Sequence, residues 1–188
     1  MKKTILTVAA ALILGIFSTS AFAQTTTPPP AAPAAAAPTG TADVLSTLSS
    51  TDNGANYQTM AIALRGANQA ATLKGAGPYT IFAPNNDAFA ALTPAQLDAL
   101  FADPAKLAAA LRGHIATGLN DKKAILAAIK ATGTMTLKTI DGATLTLSVN
   151  AAKNLVITDA QGNTAKVIKF DMEGTNGVAI GIDAVLYK

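Results

Sequence analysis

In Thr80-Ile81-Phe82-Ala83-Pro84-Asn85-Asn86-Asp87-Ala88-Phe89 a short apolar strand runs into a proline and leaves it as a helix. Tyr79 to Ala83 is apolar enough for a buried strand, and Pro84, which has no N–H to donate, stops its pairing. Asn85 or Asn86 then supplies the side-chain oxygen that caps a helix carrying Ala88, Phe89 and Leu92. Asp87 falls in the first turn, where a carboxylate complements the helix dipole and the free N–H groups. These ten residues predict a buried corner between a strand and a helix.

Outward from that corner, the two halves of the chain have different periods. Before it, Asp43 to Leu48 opens a short helix, and Tyr57 to Ala67 carries Met60, Ile62 and Leu64 among good helix formers. After it, Pro94 follows Thr93 as a helix start, with Leu97, Leu100 and Phe101 at helical spacing. Pro104 begins another unit with Leu107 and Leu111 four apart. Asp121 caps a third helix, in which Ile125, Leu126 and Ile129 are expected to form one apolar face. Beyond Gly133 the period becomes two. Met135 and Leu137 alternate with threonine and lysine, Asp141-Gly142 reads as a two-residue hairpin turn, and Ala143, Leu145, Leu147 and Val149 alternate with Thr144, Thr146 and Ser148. Leu155 to Ile157 and Ala165 to Phe170 flank the polar turn Asp159 to Asn163. Val178, Ile180 and Ile182 form the inner row of a last strand, with small Ala179 and Gly181 between them. Helices followed by an antiparallel sheet predict an α+β domain.

The first 40 residues do not belong to that domain. Lys2 and Lys3 precede an apolar run from Ile5 to Phe17, and Ala21-Phe22-Ala23 sets small residues before a cut between Ala23 and Gln24. This is the pattern of a secretion signal, residues 1–23. The competing reading, a retained transmembrane helix, needs about 20 apolar residues, more than the run supplies. Residues 24–40, QTTTPPPAAPAAAAPTG, hold five of the nine prolines and no charge, so they are read as a disordered extended spacer. Tethering or threonine glycosylation is the alternative role for that spacer. The domain is expected at 41–188.

Removing Lys2 and Lys3 leaves twelve basic residues against eleven acidic, so the basic pI belongs partly to the signal. The electrostatic case for a nucleic-acid partner goes with it. No second apolar run is long enough to span a bilayer, so no stable membrane anchor is expected after cleavage. With no cysteine, the domain is held by its apolar core alone.

Thr80 to Phe89 resembles the first signature of fasciclin domains, T-V-F-A-P-T-N-x-A-F, and the resemblance continues along nearly all of 41–188. Gly75-Ala76-Gly77-Pro78-Tyr79 resembles the lead-in G-x-G-P-F, and Leu111 to Gly118, LRGHIATG, resembles L-x-Y-H-x-x-x-G. Asn176-Gly177-Val178 through Leu186 resembles N-G-V-I-H-V-I-D-x-V-L. The resemblance implies a wedge-shaped β-sandwich with a helical layer along one side. Its signature residues here are Thr80, Phe82, Pro84, Asn85, Asp87, Phe89, His114, Asn176, Gly177 and Asp183. Two positions depart from the pattern: Gly113 stands where the family has tyrosine, and Ile180 where it has histidine. The Tyr-His pair is associated with integrin binding in animal members, and its loss leaves that role unsupported in this chain.

His114 is the single histidine, so a histidine-based metal site or dyad is poorly supplied. It is expected to bond a carboxylate or a backbone group and to fix the joint between helices and sheet. Asp183 is expected to accept backbone hydrogen bonds at a corner. No serine lies in a G-x-S-x-G setting and no glycine loop suits a phosphate. The chain is therefore read as a non-catalytic module without cofactor, periplasmic or released, for cell-surface, matrix or protein binding. Its partner and oligomeric state are not legible. Two alternatives differ in class: a carrier or sensor of a small apolar ligand, which needs an enclosed cavity, and a hydrolase, which needs a convergent polar cluster.

Overall fold

The sheet is organised around two strands that are buried almost end to end, β1 (Tyr79–Pro84) and β7 (Gly177–Ile182). They pair in parallel, from Tyr79 opposite Gly177 to Pro84 opposite Ile182. A strand covered on both faces reads as a continuous apolar run, which is what IFAP and GVAIGI supply. β1 sends Ile81 and Ala83 to one core and Phe82 to the other. β7 likewise sends Ala179 one way and Ile180 and Ile182 the other.

The computed structural model describes residues 42–73 and 77–186, the side chains of 51–54 excepted. The expected signal 1–23 with its cut at Ala23 and Gln24, the spacer 24–40, Thr41, Gly75, Ala76, Tyr187 and Lys188 lie outside the described residues.

β2 (Ile115–Thr117) flanks β1 on its free edge. On the side of β7 follow β6 (Thr164–Gly174), β5 (Leu155–Thr158), β4 (Thr144–Val149) and β3 (Thr134–Lys138), each antiparallel to its neighbour. The order is β2-β1-β7-β6-β5-β4-β3. A bridge between Ala116 and Thr139 brings the far edge back to β2, and the Ile140 N–H reaches the Ile115 carbonyl at 2.9 Å. The expected sandwich is thus one seven-stranded sheet rolled into a nearly closed wedge. It is mixed, not wholly antiparallel, because β1, which belongs to the helical half, returns to lie beside the last strand.

One core fills the inside of the roll, with Phe82, Ile125, Leu137, Leu145, Leu147, Ile157 and Ile180 among its members. The other lies between the sheet and the helices, and includes Leu48, Tyr57, Met60, Leu64, Ile81, Phe89 and Leu111. Six helices serve this outer core: α1 (Val44–Leu48), α2 (Thr51–Gly66), α3 (Gln69–Leu73), α4 (Asn86–Ala90), α5 (Pro94–Phe101) and α6 (Pro104–Gly113). Asp43, Asn85, Thr93 and Asp103 cap α1, α4, α5 and α6 through their side chains, and Pro94 and Pro104 stand in first turns, where a missing N–H costs nothing. α7 (Lys122–Thr132) is capped by Asp121 and ends on Gly133 at φ 81°.

Several expectations are corrected. Ile125 and Ile129 of α7 are buried, but Leu126 is 42 % exposed, so the apolar face is narrower than the sequence implied. Phe101 and Ile62 also stand mostly outside their helical stripes, although the Phe101 ring approaches Phe89 at 6.4 Å. Asp141-Gly142 is not a two-residue turn. Thr139 N–H donates to Ala143 O and Gly142 N–H to Thr139 O, giving a three-residue loop with Gly142 at φ 85°. The longer loop follows from the closure of the roll, which holds Thr139 and Ile140 against β2. The loops Asn150–Asn154 and Asp159–Asn163 repeat the same two bonds, with Lys153 and Gly162 in the left-handed position.

A Cβ on Gly177 would run into the Tyr79 carbonyl of the neighbouring strand, which is backbone and cannot swing away. Gly177→Ala is expected to lower stability by about 3 kcal/mol, the upper range for overpacking, read from urea unfolding. An unchanged midpoint would show that β1 and β7 are less closely apposed.

Candidate functional site

The polar side chains of the signature segments are built into the frame around β1 and β7. Thr80 is fully buried. Its hydroxyl donates to Gly118 O at 2.8 Å and accepts from the Asn120 N–H at 2.9 Å and from Asn120 Nδ2 at 3.3 Å. A hydroxyl has one donor and two lone pairs, so nothing on Thr80 is left over.

Past Pro84, the Asn85 side chain accepts the Ala88 N–H at 2.8 Å and caps α4, while its own N–H donates to Ile182 O at 3.0 Å. Asp87 sits in that first turn and accepts from Asn85 Nδ2 at 3.3 Å. Asn86, which the sequence offered only as an alternative cap, has a different task. Its Nδ2 donates to Ala55 O at 2.7 Å and its Oδ1 accepts the Thr59 N–H at 3.1 Å. Those are the two groups that an unbroken α-helix would pair with each other. Asn86 is therefore inserted into the hydrogen-bond ladder of α2, a known source of helix bending. The signal was present in the doublet Asn85-Asn86: one amide suffices for the cap, and the other needs partners at a buried corner.

Asn176 joins three elements. Its Oδ1 accepts the Val44 N–H at 2.8 Å, its Nδ2 donates to Leu73 O at 2.6 Å, and its carbonyl accepts the Tyr79 N–H at 3.1 Å. Gly177 beside it permits the close approach of β1. Asp183 closes the far end: its Oδ1 accepts the Lys166 N–H at 2.7 Å, and its Oδ2 lies 3.4 Å from Lys166 Nζ. Both side chains are partly exposed, so the backbone bond matters more than the ion pair.

His114 follows α6 and is buried. Ring Nδ1 lies 2.8 Å from Ala110 O, and the Leu186 N–H points at Nε2 from 3.1 Å. A carbonyl only accepts and an amide N–H only donates, so Nδ1 carries the proton and Nε2 is the acceptor. The backbone carbonyl of His114 receives the Phe82 N–H at 2.8 Å. One residue thus ties α6, β1 and the segment after β7. The ring is bound to backbone groups, not to a carboxylate. Burial holds its pKa below the usual 6.5; the bond to Ala110 O and the charges of Asp159 and Asp141 pull it up without overcoming burial. Protonation would also set a second donor against the Leu186 N–H. At Gly113 a Cβ would meet only Asp141 Oδ2, at 3.7 Å, so the backbone leaves room where the family pattern has tyrosine. Ile180, in place of the pattern's histidine, is wholly buried inside the roll.

These residues do not converge. Thr80 and Asn176 stand at the start of the parallel pair, and Asn85 and Asp183 at its end, roughly 15–20 Å away over six strand residues. Phe82 and Phe89 are core side chains of the inner and outer clusters respectively. Among the described residues, no three His, Asp or Glu side chains are grouped as metal ligands would be. Away from the signatures, a groove of about 450 Å³ opens along α2 beside the turn that leads into it, lined by Ser49, Ser50, Gln58 and Arg65 together with Ala55, Ala61 and Ile62. Arg65 is steadied there by Ser49 Oγ at 2.9 Å, and Ile62 is 56 % exposed. The sequence hinted at this only through Ile62, which lies off the stripe of Met60 and Leu64.

Two outcomes test the frame. Because the folded state resists protonation of His114 while the unfolded chain takes a proton near 6.5, stability is complete above pH 6.5 and declines as pH falls through the window below it. His114→Gln is expected to flatten that slope and to lose about 2 kcal/mol at pH 8 from unpaired buried groups; a full-stability variant would contradict the clamp. Asn176→Asp turns a donor into an acceptor against Leu73 O and is expected to cost about 2 kcal/mol, with a drop in thermal midpoint as the readout.

The sequence profile of the fasciclin domain matches residues 55–188. Protein sll1483 of Synechocystis is 33 % identical over 132 residues, covering 69 % of this chain and 66 % of that protein. Rabbit transforming growth factor-beta-induced protein ig-h3 is 33 % identical over 149 residues, which are 79 % of this chain but 19 % of that one. The chain thus spans less than two thirds of either relative. A solved FAS1 domain pair from the insect cell adhesion molecule fasciclin I superposes with a TM-score of 0.67 at 20 % identity, over 79 % of this chain and 52 % of that one. The extent of the profile match and the shared architecture lead to one conclusion: the chain belongs to the fasciclin domain family.

Proposed function

We propose that this domain is a non-catalytic interaction module that acts outside the cytoplasm, where it holds a cell-surface, matrix or protein component. The observation that carries this reading is the commitment of Thr80, Asn85, His114, Asn176 and Asp183 to bonds within the frame. Chemistry needs a polar group that is free to meet substrate; here the signature groups are spent on the scaffold, and what remains for function is the surface. The family includes an insect cell adhesion molecule with the same fold, which supports the reading. Export is supported by the N-terminal pattern of two lysines, an apolar run and Ala-Phe-Ala. Among the described residues, no helix is long and apolar enough to cross a membrane.

The groove along α2 favours contact with a macromolecule over storage of an apolar ligand. Four of its seven lining residues are polar, and it is open to solvent. A carrier instead encloses most of its ligand in a mainly apolar pocket.

The test is binding of the purified chain from Gln24 onward to intact cells and to extracted matrix, with the spacer peptide alone as control. Saturable retention by either surface is expected, and the spacer is expected to be lost in washing. Retention by neither surface, together with a lipid that co-purifies with the domain, would overturn the reading.

A further inference from the structure

Asn176 and Gly177 form a dipeptide that the fold requires and that its own chemistry makes fragile. The side-chain amide of Asn176 is used at both ends, accepting the Val44 N–H at 2.8 Å and donating to Leu73 O at 2.6 Å. An aspartate has no N–H for Leu73, and an apolar side chain serves neither partner. Gly177 is fixed for a different reason, because any Cβ would collide with the backbone of Tyr79. The frame thus sets asparagine directly before glycine at the turn between β6 and β7.

Asparagine followed by glycine is the pair most open to self-attack, since a glycine without Cβ lets its nitrogen come close to the preceding side chain. The Gly177 nitrogen adds to Asn176 Cγ. The N–Cγ bond forms, the Cγ–Nδ2 bond breaks, and the Gly177 amide proton leaves with Nδ2 as ammonia. Water then opens the five-membered imide at one of its two carbonyls. One opening gives aspartate. The other gives isoaspartate, in which the main chain runs through the former side chain. Water is the sole co-reactant, and nothing is oxidised or reduced.

In the folded domain three restraints oppose this reaction. The bonds at Oδ1 and Nδ2 hold the amide toward Val44 and Leu73. Gly177 is buried as the first residue of β7, between β1 and β6, so its nitrogen is not free to turn toward Cγ. The Asn176 carbonyl is held by the Tyr79 N–H at 3.1 Å. All three are lost together when β7 parts from β1.

We propose that Asn176 is a self-modification site, silent in the folded domain and reactive in the opened one, whose products close the frame less well. Aspartate sets a carboxylate against Leu73 O, two acceptors with no proton between them. Isoaspartate adds a backbone carbon where the Tyr79 N–H must find its carbonyl. Each opening that leads to conversion therefore makes the next opening easier. The inference goes beyond the binding reading and does not depend on what the domain holds.

The experiment incubates the full exported chain at mildly alkaline pH, folded, in graded urea and fully unfolded, and follows conversion by the mass of tryptic peptides. Cleavage after Lys169 gives a peptide from Phe170 onward in which Asn176 is the only asparagine, so the second Asn-Gly pair, Asn53-Gly54, is read separately. Conversion at Asn176 is expected to be at least about a hundredfold slower in the folded protein than in the unfolded one, because the rate follows the small opened population. It is expected to rise with urea as that population rises. The converted protein, separated by its added charge, is expected to melt at a lower temperature than the parent. Equal rates in folded and unfolded protein overturn the proposal, as does a converted protein with an unchanged midpoint. So does an absence of conversion in the unfolded chain.

Discussion

A parallel pair of strands with no water on either face is the constraint from which the rest of this structure follows. Burying β1 and β7 on both faces keeps solvent from their backbone groups, and a buried unpaired amide or carbonyl costs about 1–3 kcal/mol. The chain must therefore bring partners to those groups from elsewhere. The Tyr79 N–H goes to the Asn176 carbonyl, the Phe82 N–H to the His114 carbonyl, and the Ile182 carbonyl receives the Asn85 N–H. The side chains of Asn176, Thr80, Asn85, Asp183 and His114 then pin the neighbouring segments in place around the pair. The two cores and the helical layer exist to keep both faces dry.

This constraint changes how a fasciclin signature is understood in this chain. Residues with chemical potential in another setting, a histidine, two asparagines and an aspartate, are here fastening points. The imidazole makes the point most clearly. Its donor nitrogen meets a carbonyl and its acceptor nitrogen meets an N–H, an arrangement available only to the neutral ring. Histidine is one of few side chains that can offer one donor and one acceptor on opposite sides of a rigid plane. A role in joining α6 to the C-terminal segment explains its presence without any reaction.

Much of the fold was legible because its segments are local. The corner at Pro84, the caps at Thr93 and Asp121, and the alternation from Met135 to Val149 each depend on residues close in sequence. The parallel partner of β1 was not legible, since β7 lies at the other end of the domain and alternation says nothing about direction. Neither was β2, because Ile115–Thr117 is too short for a period to show. Asp141-Gly142 misled for a related reason: the hairpin was real, but its length is set by the contact of Ile140 with Ile115, a long-range bond. At the signatures, the residues were legible and their partners were not. Asn176 bonds across 132 positions to Val44 and 103 to Leu73, distances that no local pattern encodes.

The central claim is that the polar signature residues form a closed frame in which the imidazole of His114 is neutral. It is tested most directly by nitrogen NMR of the imidazole in tag-free protein, where the single histidine gives one set of ring signals. The account predicts a neutral ring with the proton on Nδ1 that does not titrate at the ordinary value near 6.5 while the domain stays folded. A ring that protonates at that value in the folded protein, or that carries its proton on Nε2, would contradict it.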